Sequence, residues 1–378
     1  MPNTRANKEK RVDIFIKQAR VMRLMNRFKE HIRTLEKNLP IVEELGDKDR
    51  LAEYYFKMGF YYSVRGDLEY AIRYCTKSIE LAELTKNERI IGLASVRQGY
   101  NYLYKGEFKK VIPIVQKGVK ILERLGEHYW LGRAFEAIGA YYWFTGNWDK
   151  SINYIQKLLK KSEEISDNNL MALACWFAAL PHLEKGEWDI AIKYCERCLE
   201  MSPPPIFATF ATGFLGAAYY KDGQLKKGIE CMEKAIQQGK QFGLKLQEVV
   251  TSIYLGEAYL SIGERDKALE TIKRALEISK ESGFRHWEGM AYRVLGEIYG
   301  GNDFNKAKNY IEDSIRILKE IGAKNELAKS YISLGRLYKE KGEKDKAKKY
   351  TTQALHIFEK LGTLHEPEKA RKVLRDLG

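Results

Sequence analysis

The residues best equipped for chemistry fall in one short run. Cys195-Glu196-Arg197-Cys198 places two thiols one helical turn apart, with Cys175 and His182 a little upstream. Three thiolates and an imidazole could hold a tetrahedral zinc ion, and a CxxC pair at the end of a strand could do redox work. The surroundings favour neither chemistry: no second ligand pair with finger-type spacing follows, and the CxxC lies in the middle of a helical pattern. The other histidines, His31, His128, His286, His356 and His365, are scattered with no partner at catalytic spacing, so they are expected as surface or capping residues. No Gly-rich phosphate loop, GxSxG, HExxH or paired-carboxylate motif is present. No catalytic residue, metal site or cofactor is therefore expected.

The helix around Cys195 belongs to a recurring unit. Gly66, Gly106, Gly146, Gly186, Gly223, Gly263 and Gly342 follow one another at steps of 40 residues. There are two exceptions: a step of 37 across Ser202-Pro203-Pro204-Pro205, and a double step that absorbs one deletion at Gly300-Gly301. Seven residues before each turn stands a small residue: Gly59, Gly99, Gly139, Ala179, Gly216, Gly256 or Gly335. A ring follows three residues later in Tyr62, Tyr102, Tyr142, Tyr219, Tyr259, Tyr299 and Tyr338, and only His182 interrupts the series. These tyrosines are expected in the core. A small residue in the second helix, such as Ala71, Ala191 or Ala268, is expected to face the Gly and let two antiparallel helices approach closely. On this ruler Cys195 and Cys198 take the places of Ile272 and Ala275, and so read as small core residues.

The spacing predicts an all-α solenoid of about nine helical hairpins. The first is degenerate (Ala19, Asn26 and Phe28 in the places of Gly99, Gly106 and Phe108), and a capping helix over 365–377 closes the array. The pattern Leu255-Gly256-x-x-Tyr259, Ala268, Ile272, Ala275 resembles the tetratricopeptide repeat in its longer form, over about 360 of the 378 residues. The resemblance implies a right-handed α–α superhelix whose concave groove binds proteins or peptides, without chemistry of its own. Similar long repeats occur in bacterial transcriptional activators, peptide-sensing regulators and the sensor regions of signalling ATPases and cyclases. The expected role is a non-enzymatic protein-interaction scaffold that takes a peptide or helical segment of a partner. A sensor region of such a regulator is one alternative, and a nucleic-acid-associated regulator using the basic ends is another.

The family's inward helix face identifies the candidate groove residues. Its early positions are Phe56, Phe60, Tyr100, Tyr104, Glu136, Trp143, Phe144 and Trp176, and its later ones Tyr220, Lys221, Glu257, Arg293, Glu297 and Arg336. The first group would anchor an apolar partner surface, and the charged second group would set its register. Self-association through the aromatic face is a further expectation. The clamp for a partner's terminal carboxylate is missing, because Phe56, Phe60, Val96 and Tyr100 stand where its Lys and Asn would be.

Net charge is +14, but residues 1–50 carry +5 and residues 301–378 carry +6, leaving no continuous basic stripe for nucleic acid. No apolar run is long enough to cross a membrane, the polar N-terminal stretch lacks a secretory h-region, and five cysteines suggest no disulfide framework. The expected compartment is the cytoplasm. Pro40, Pro113 and Pro181 are expected to kink their helices. The Pro203–Pro205 stretch is expected as a rigid extended connection, dividing residues 1–201 from 202–378 within one probable continuous solenoid.

Overall fold

The computed structural model describes residues 4–24 and 28–378, with side chains outside 19–29. Asn26 lies outside the described residues, as do the side chains of Ala19 and Phe28. Among the described residues nineteen helices follow one another. The first hairpins are α1 (Arg5–Leu24) with α2 (Phe28–Leu45), α3 (Lys48–Arg65) with α4 (Leu68–Leu84), and α5 (Glu88–Lys105) with α6 (Phe108–Arg124). Next come α7 (His128–Phe144) with α8 (Trp148–Glu164), α9 (Asn168–Lys185) with α10 (Trp188–Glu200), and α11 (Pro205–Lys221) with α12 (Leu225–Phe242). The last hairpins are α13 (Lys245–Ser261) with α14 (Arg265–Ser282), α15 (Arg285–Tyr299) with α16 (Phe304–Ile321), and α17 (Lys324–Glu340) with α18 (Lys344–Leu361). The short α19 (Glu366–Arg375) closes the array, with Pro367 in its first turn.

Each hairpin is fixed by local chemistry. Several helix starts are capped by a short acceptor: the Asn87 side chain accepts the Ile90 N–H, and Asp167 accepts that of Leu170. Within a hairpin the small residue works differently from the expectation. A Cβ added at Gly256 would stand 2.4 Å from Ile272 Cδ1, while Ala268 offers only its carbonyl oxygen at 3.8 Å. The glycine thus makes room for the apolar side chain one turn beyond the alanine.

The phased tyrosines also depart from a simple core role. Tyr62, Tyr259 and Tyr338 are buried, but Tyr102, Tyr142, Tyr219 and Tyr299 are half-buried. Tyr62, Tyr142, Tyr299 and Tyr338 stack on a tyrosine of the second helix, with ring centroids 5.4 Å apart for Tyr62 and Tyr74 and 5.8 Å for Tyr338 and Tyr350. His182 fills the same place on Tyr194, at 5.7 Å.

The prolines are milder than predicted. Pro40, Pro113 and Pro181 each lie inside one uninterrupted helix. The connection after α10 is only Met201–Pro204, because Pro205 already starts α11. Helix α10 has 13 residues where its counterpart α8 has 17, and the connection after α10 (201–204) is one residue longer than that after α8 (165–167), which leaves the step three residues short. Across this break Trp176 stacks on Phe210 and Phe214, at 4.8 and 5.9 Å, so the apolar core runs through it.

The superhelix closes on itself. The turn at Gly66 meets Phe284, that at Gly106 meets Ile321, that at Gly146 meets Leu361 and that at Gly186 meets His365. The first three of these contacts join elements between five and six hairpins apart. One full turn of superhelix therefore rests on the next. Among the described residues no helix is long and apolar enough to cross a membrane.

Candidate functional site

The inward faces of α3, α5, α7 and α9 do not stand alone. Together with the adjoining α11 they meet α13 and α15 further along the superhelix, and these elements line a part-open cavity of about 140 Å³. That is space for roughly ten water molecules. Tyr104 packs on Phe284 and Trp287, at 6.3 and 6.0 Å, and Phe144 on His286 and Trp287, at 4.8 and 5.3 Å. Trp176, Phe210 and Phe214 supply a stack of near-parallel rings on the lining.

The polar part of the lining is small. Arg133 Nη1 lies 2.6 Å from Glu136 Oε2, and the Tyr100 hydroxyl donates to the Arg133 carbonyl at 3.0 Å. Burial works against the Arg133 charge, and Glu136 more than offsets it. Burial likewise pushes the Glu136 carboxyl up, opposed by Arg133. Arg97 is 4 % exposed, and its Nε has no hydrogen-bond partner. Its guanidinium carbon lies 4.3 Å from the Phe60 ring centroid and 5.1 Å from that of Tyr100. Burial lowers its proton affinity, with Arg133 adding to the effect; an arginine stays charged even so.

A second constellation lies further along the inner face. Lys221 Nζ is 2.8 Å from Glu257, and Arg293 pairs with both Glu257 and Glu297. Glu297 also accepts the Ser333 hydroxyl. Lys329 stands 2.7 Å from Glu326 and 2.7 Å from Glu184, which comes from the preceding superhelical turn. Glu184 further accepts the Tyr254 hydroxyl at 2.6 Å and the Asn325 amide at 2.8 Å. Burial would raise the Glu184 carboxyl, but Lys329 and the hydrogen bonds hold it below the usual range. These charges pair with one another, although Arg293 Nε and Glu326 Oε2 keep no hydrogen-bond partner, and the Glu184–Lys329 pair makes the ladder a clasp between turns.

The sequence-derived residues divide accordingly. Phe60, Tyr100, Tyr104, Glu136, Trp143, Phe144 and Trp176 all line the cavity. Phe56 is buried instead against Trp130, at 5.4 Å. Lys221, Glu257, Arg293 and Glu297 belong to the ladder, Tyr220 lies beside it under Lys221, and Arg336 is exposed. The sequence reading missed Arg97, Arg133, Glu184, Lys329 and Trp287. Glu184 occupies the same inward count as Tyr104 and Phe144, which is a signal; Arg97 and Arg133 lie off the counted inward positions, and Trp287 and Lys329 act on elements several hairpins away.

One expectation about the reactive side chains changes, and the core reading of the cysteines holds. His31 and His286 are buried, not surface residues. Burial, with Lys57 adding to it, lowers His31 to about 4, and burial lowers His286 to about 3. Cys175, Cys195 and Cys198 are buried in the core, and burial pushes the Cys198 thiol up to about 12. His182 turns away from them to Glu187, 2.6 Å off.

The MalT-like TPR region family model matches residues 177–373. No curated protein matches the sequence. Among solved structures, a Rap protein complexed with competence and sporulation factor superposes with a TM-score of 0.68 at 13% identity, covering 93% of this chain and 98% of that one. The Rap conjugation gene regulator of plasmid pLS20, in complex with a peptide, gives 0.60 at 14% identity, over 92% and 98%. The apo quorum sensor NprR from B. thuringiensis gives 0.55 at 16% identity, over 90% and 99%. At these identities the likeness is one of fold.

Proposed function

The chain belongs to the MalT-like TPR region family, and from that premise we propose that it is a non-catalytic binding module of a regulatory or sensory system, recognising a protein or peptide partner. The observation that carries this reading is the aromatic cavity between two superhelical turns. Its lining is apolar except for a few placed polar groups, the composition of a binding site. Its size suits one or two inserted side chains and not a whole helix, so the partner would offer a short anchor. Two structural neighbours, a Rap protein and the Rap conjugation gene regulator, are complexes with a factor and with a peptide, which supports the same reading. A sensor role is favoured over a passive scaffold by one feature. Trp287 and Phe144 touch across the seam at the cavity, so an occupant contacts both turns at once.

The test fills the cavity. Ala140 is buried on its lining, and Ala140→Phe would occupy the space at a cost of about 1–3 kcal/mol for overpacking. The variant should keep its helical circular dichroism and lose a partner that the unaltered protein retains in affinity capture followed by mass spectrometry. Identical captured sets would refute the proposal.

A further inference from the structure

The cavity carries an unbalanced charge, and we infer that its ligand is a small amphiphilic acid, with one carboxylate seated on Arg97 and a body of one ring or a short acyl chain among the aromatic side chains. This rests on the reading of the cavity as the binding site, and adds the chemistry of what enters it. Among the described residues lining the cavity, Arg97, Arg133 and Glu136 bear charge. Arg133 pairs with Glu136 at 2.6 Å, so one positive charge is in excess among them, and Arg97, 4 % exposed and with its Nε lacking a hydrogen-bond partner, stands outside that pair.

The ring faces of Phe60 and Tyr100 stabilise that cation only in part. A buried charge without a counter-charge is costly, and a carboxylate matches the guanidinium fork with two parallel hydrogen bonds. Trp143 and Trp176 add two indole N–H groups that also lack partners and can only donate. Every one of these three groups would be satisfied by an anionic acceptor. The volume of about 140 Å³ holds a single ring and a short stem, the size of a small acid.

Trp143, Trp176 and Trp287 line the cavity and report on it by fluorescence. The full chain is titrated with 3-phenylpropionate and with octanoate, then with their neutral amides, and with a tetrapeptide ending in phenylalanine and a free carboxylate. Each small acid should bind at least about tenfold more tightly than its amide, as expected of a charge-assisted paired contact. In Arg97→Gln the acid should fall to the affinity of the amide, while the melting temperature holds or rises because an unmatched charge has gone. If that variant fails to fold, the acid–amide comparison on the unaltered protein decides alone.

Equal binding of acid and amide would overturn the assignment, and so would an acid preference that survives Arg97→Gln. Binding of the tetrapeptide without the small acids would also overturn it, and would leave the peptide-anchor reading standing. Acid-selective binding together with an Ala140→Phe variant that loses no partner would uphold the acid and overturn the partner reading.

Discussion

Replacing Gly106 by alanine should cost distinctly more stability than the same change at Gly263, although the two occupy the same turn of the repeat. Both have left-handed backbones, with φ of 79° and 82°. An alanine in that conformation costs about 1–2 kcal/mol at either site. Around Gly263 an added Cβ meets nothing within 4 Å, so the cost ends there. At Gly106 it would stand 2.7 Å from Ile321 Cγ2 and 3.1 Å from Arg285 Cβ, both in the next superhelical turn. Forcing that seam apart adds about 1–3 kcal/mol, the usual range for overpacking. The expected losses are therefore roughly 1–2 kcal/mol for Gly263→Ala and 2–5 kcal/mol for Gly106→Ala. Urea denaturation followed by circular dichroism measures both, with slopes compared to check that the transition remains cooperative. A third variant isolates the seam: in an Ile321→Ala background the Gly106→Ala cost should drop towards that of Gly263→Ala. Equal costs for the two glycines, or no coupling to Ile321, would mean that the turns do not touch as described.

Three further outcomes follow from the buried charges. Glu184→Ala removes three hydrogen bonds across the seam but leaves Lys329 paired with Glu326, so a loss of about 3 kcal/mol is expected in the same denaturation assay; a change below about 0.5 kcal/mol would show that the clasp is not closed in solution. His286 and His31 have folded pKa values of about 3 and 4, below the ordinary 6.5, so the unfolded chain takes up protons first. Their contribution is whole above pH 6.5 and is lost as the pH falls towards 4 and then 3, and His286→Phe should flatten that part of the melting curve against pH. Arg133→Met strands the Glu136 carboxylate and should destabilise by about 3 kcal/mol, whereas Arg97→Met should be neutral or stabilising; thermal melts of the pair showing the reverse order would contradict the charge assignment.

The hairpins were legible because their determinants are local. A turn glycine, a small residue seven positions earlier and a ring three later mark each unit, and Gly256 and Tyr259 do in the structure much of what their spacing implies. The inward face was legible for the same reason, which is why Tyr100, Trp143 and Trp176 reach one cavity. What faces them was not. The meeting of Tyr104 with Trp287, or of Glu184 with Lys329 across 145 positions, depends on the pitch of the superhelix, a small rotation per hairpin summed over five of them. No residue marks that sum. The sequence therefore implied the inward face but not the helices packed against it, and the turn glycines at 106 and 263 looked alike although only the first carries a neighbour.

The closed seam also governs the order in which the protein can be finished during synthesis. Much of one cavity wall lies between Phe60 and Leu180, but Trp287 completes it and Lys329 locks it. At 5–20 residues per second the ribosome adds the intervening stretch in roughly ten seconds. For that interval Tyr104, Trp143 and Phe144 stand uncovered on a chain that has already formed its early hairpins. High contact order is unusual for a helical repeat, whose folding otherwise spreads from neighbour to neighbour. The nascent first half is thus a natural client for chaperones, and a chain stopped near residue 201 should aggregate where the whole one does not.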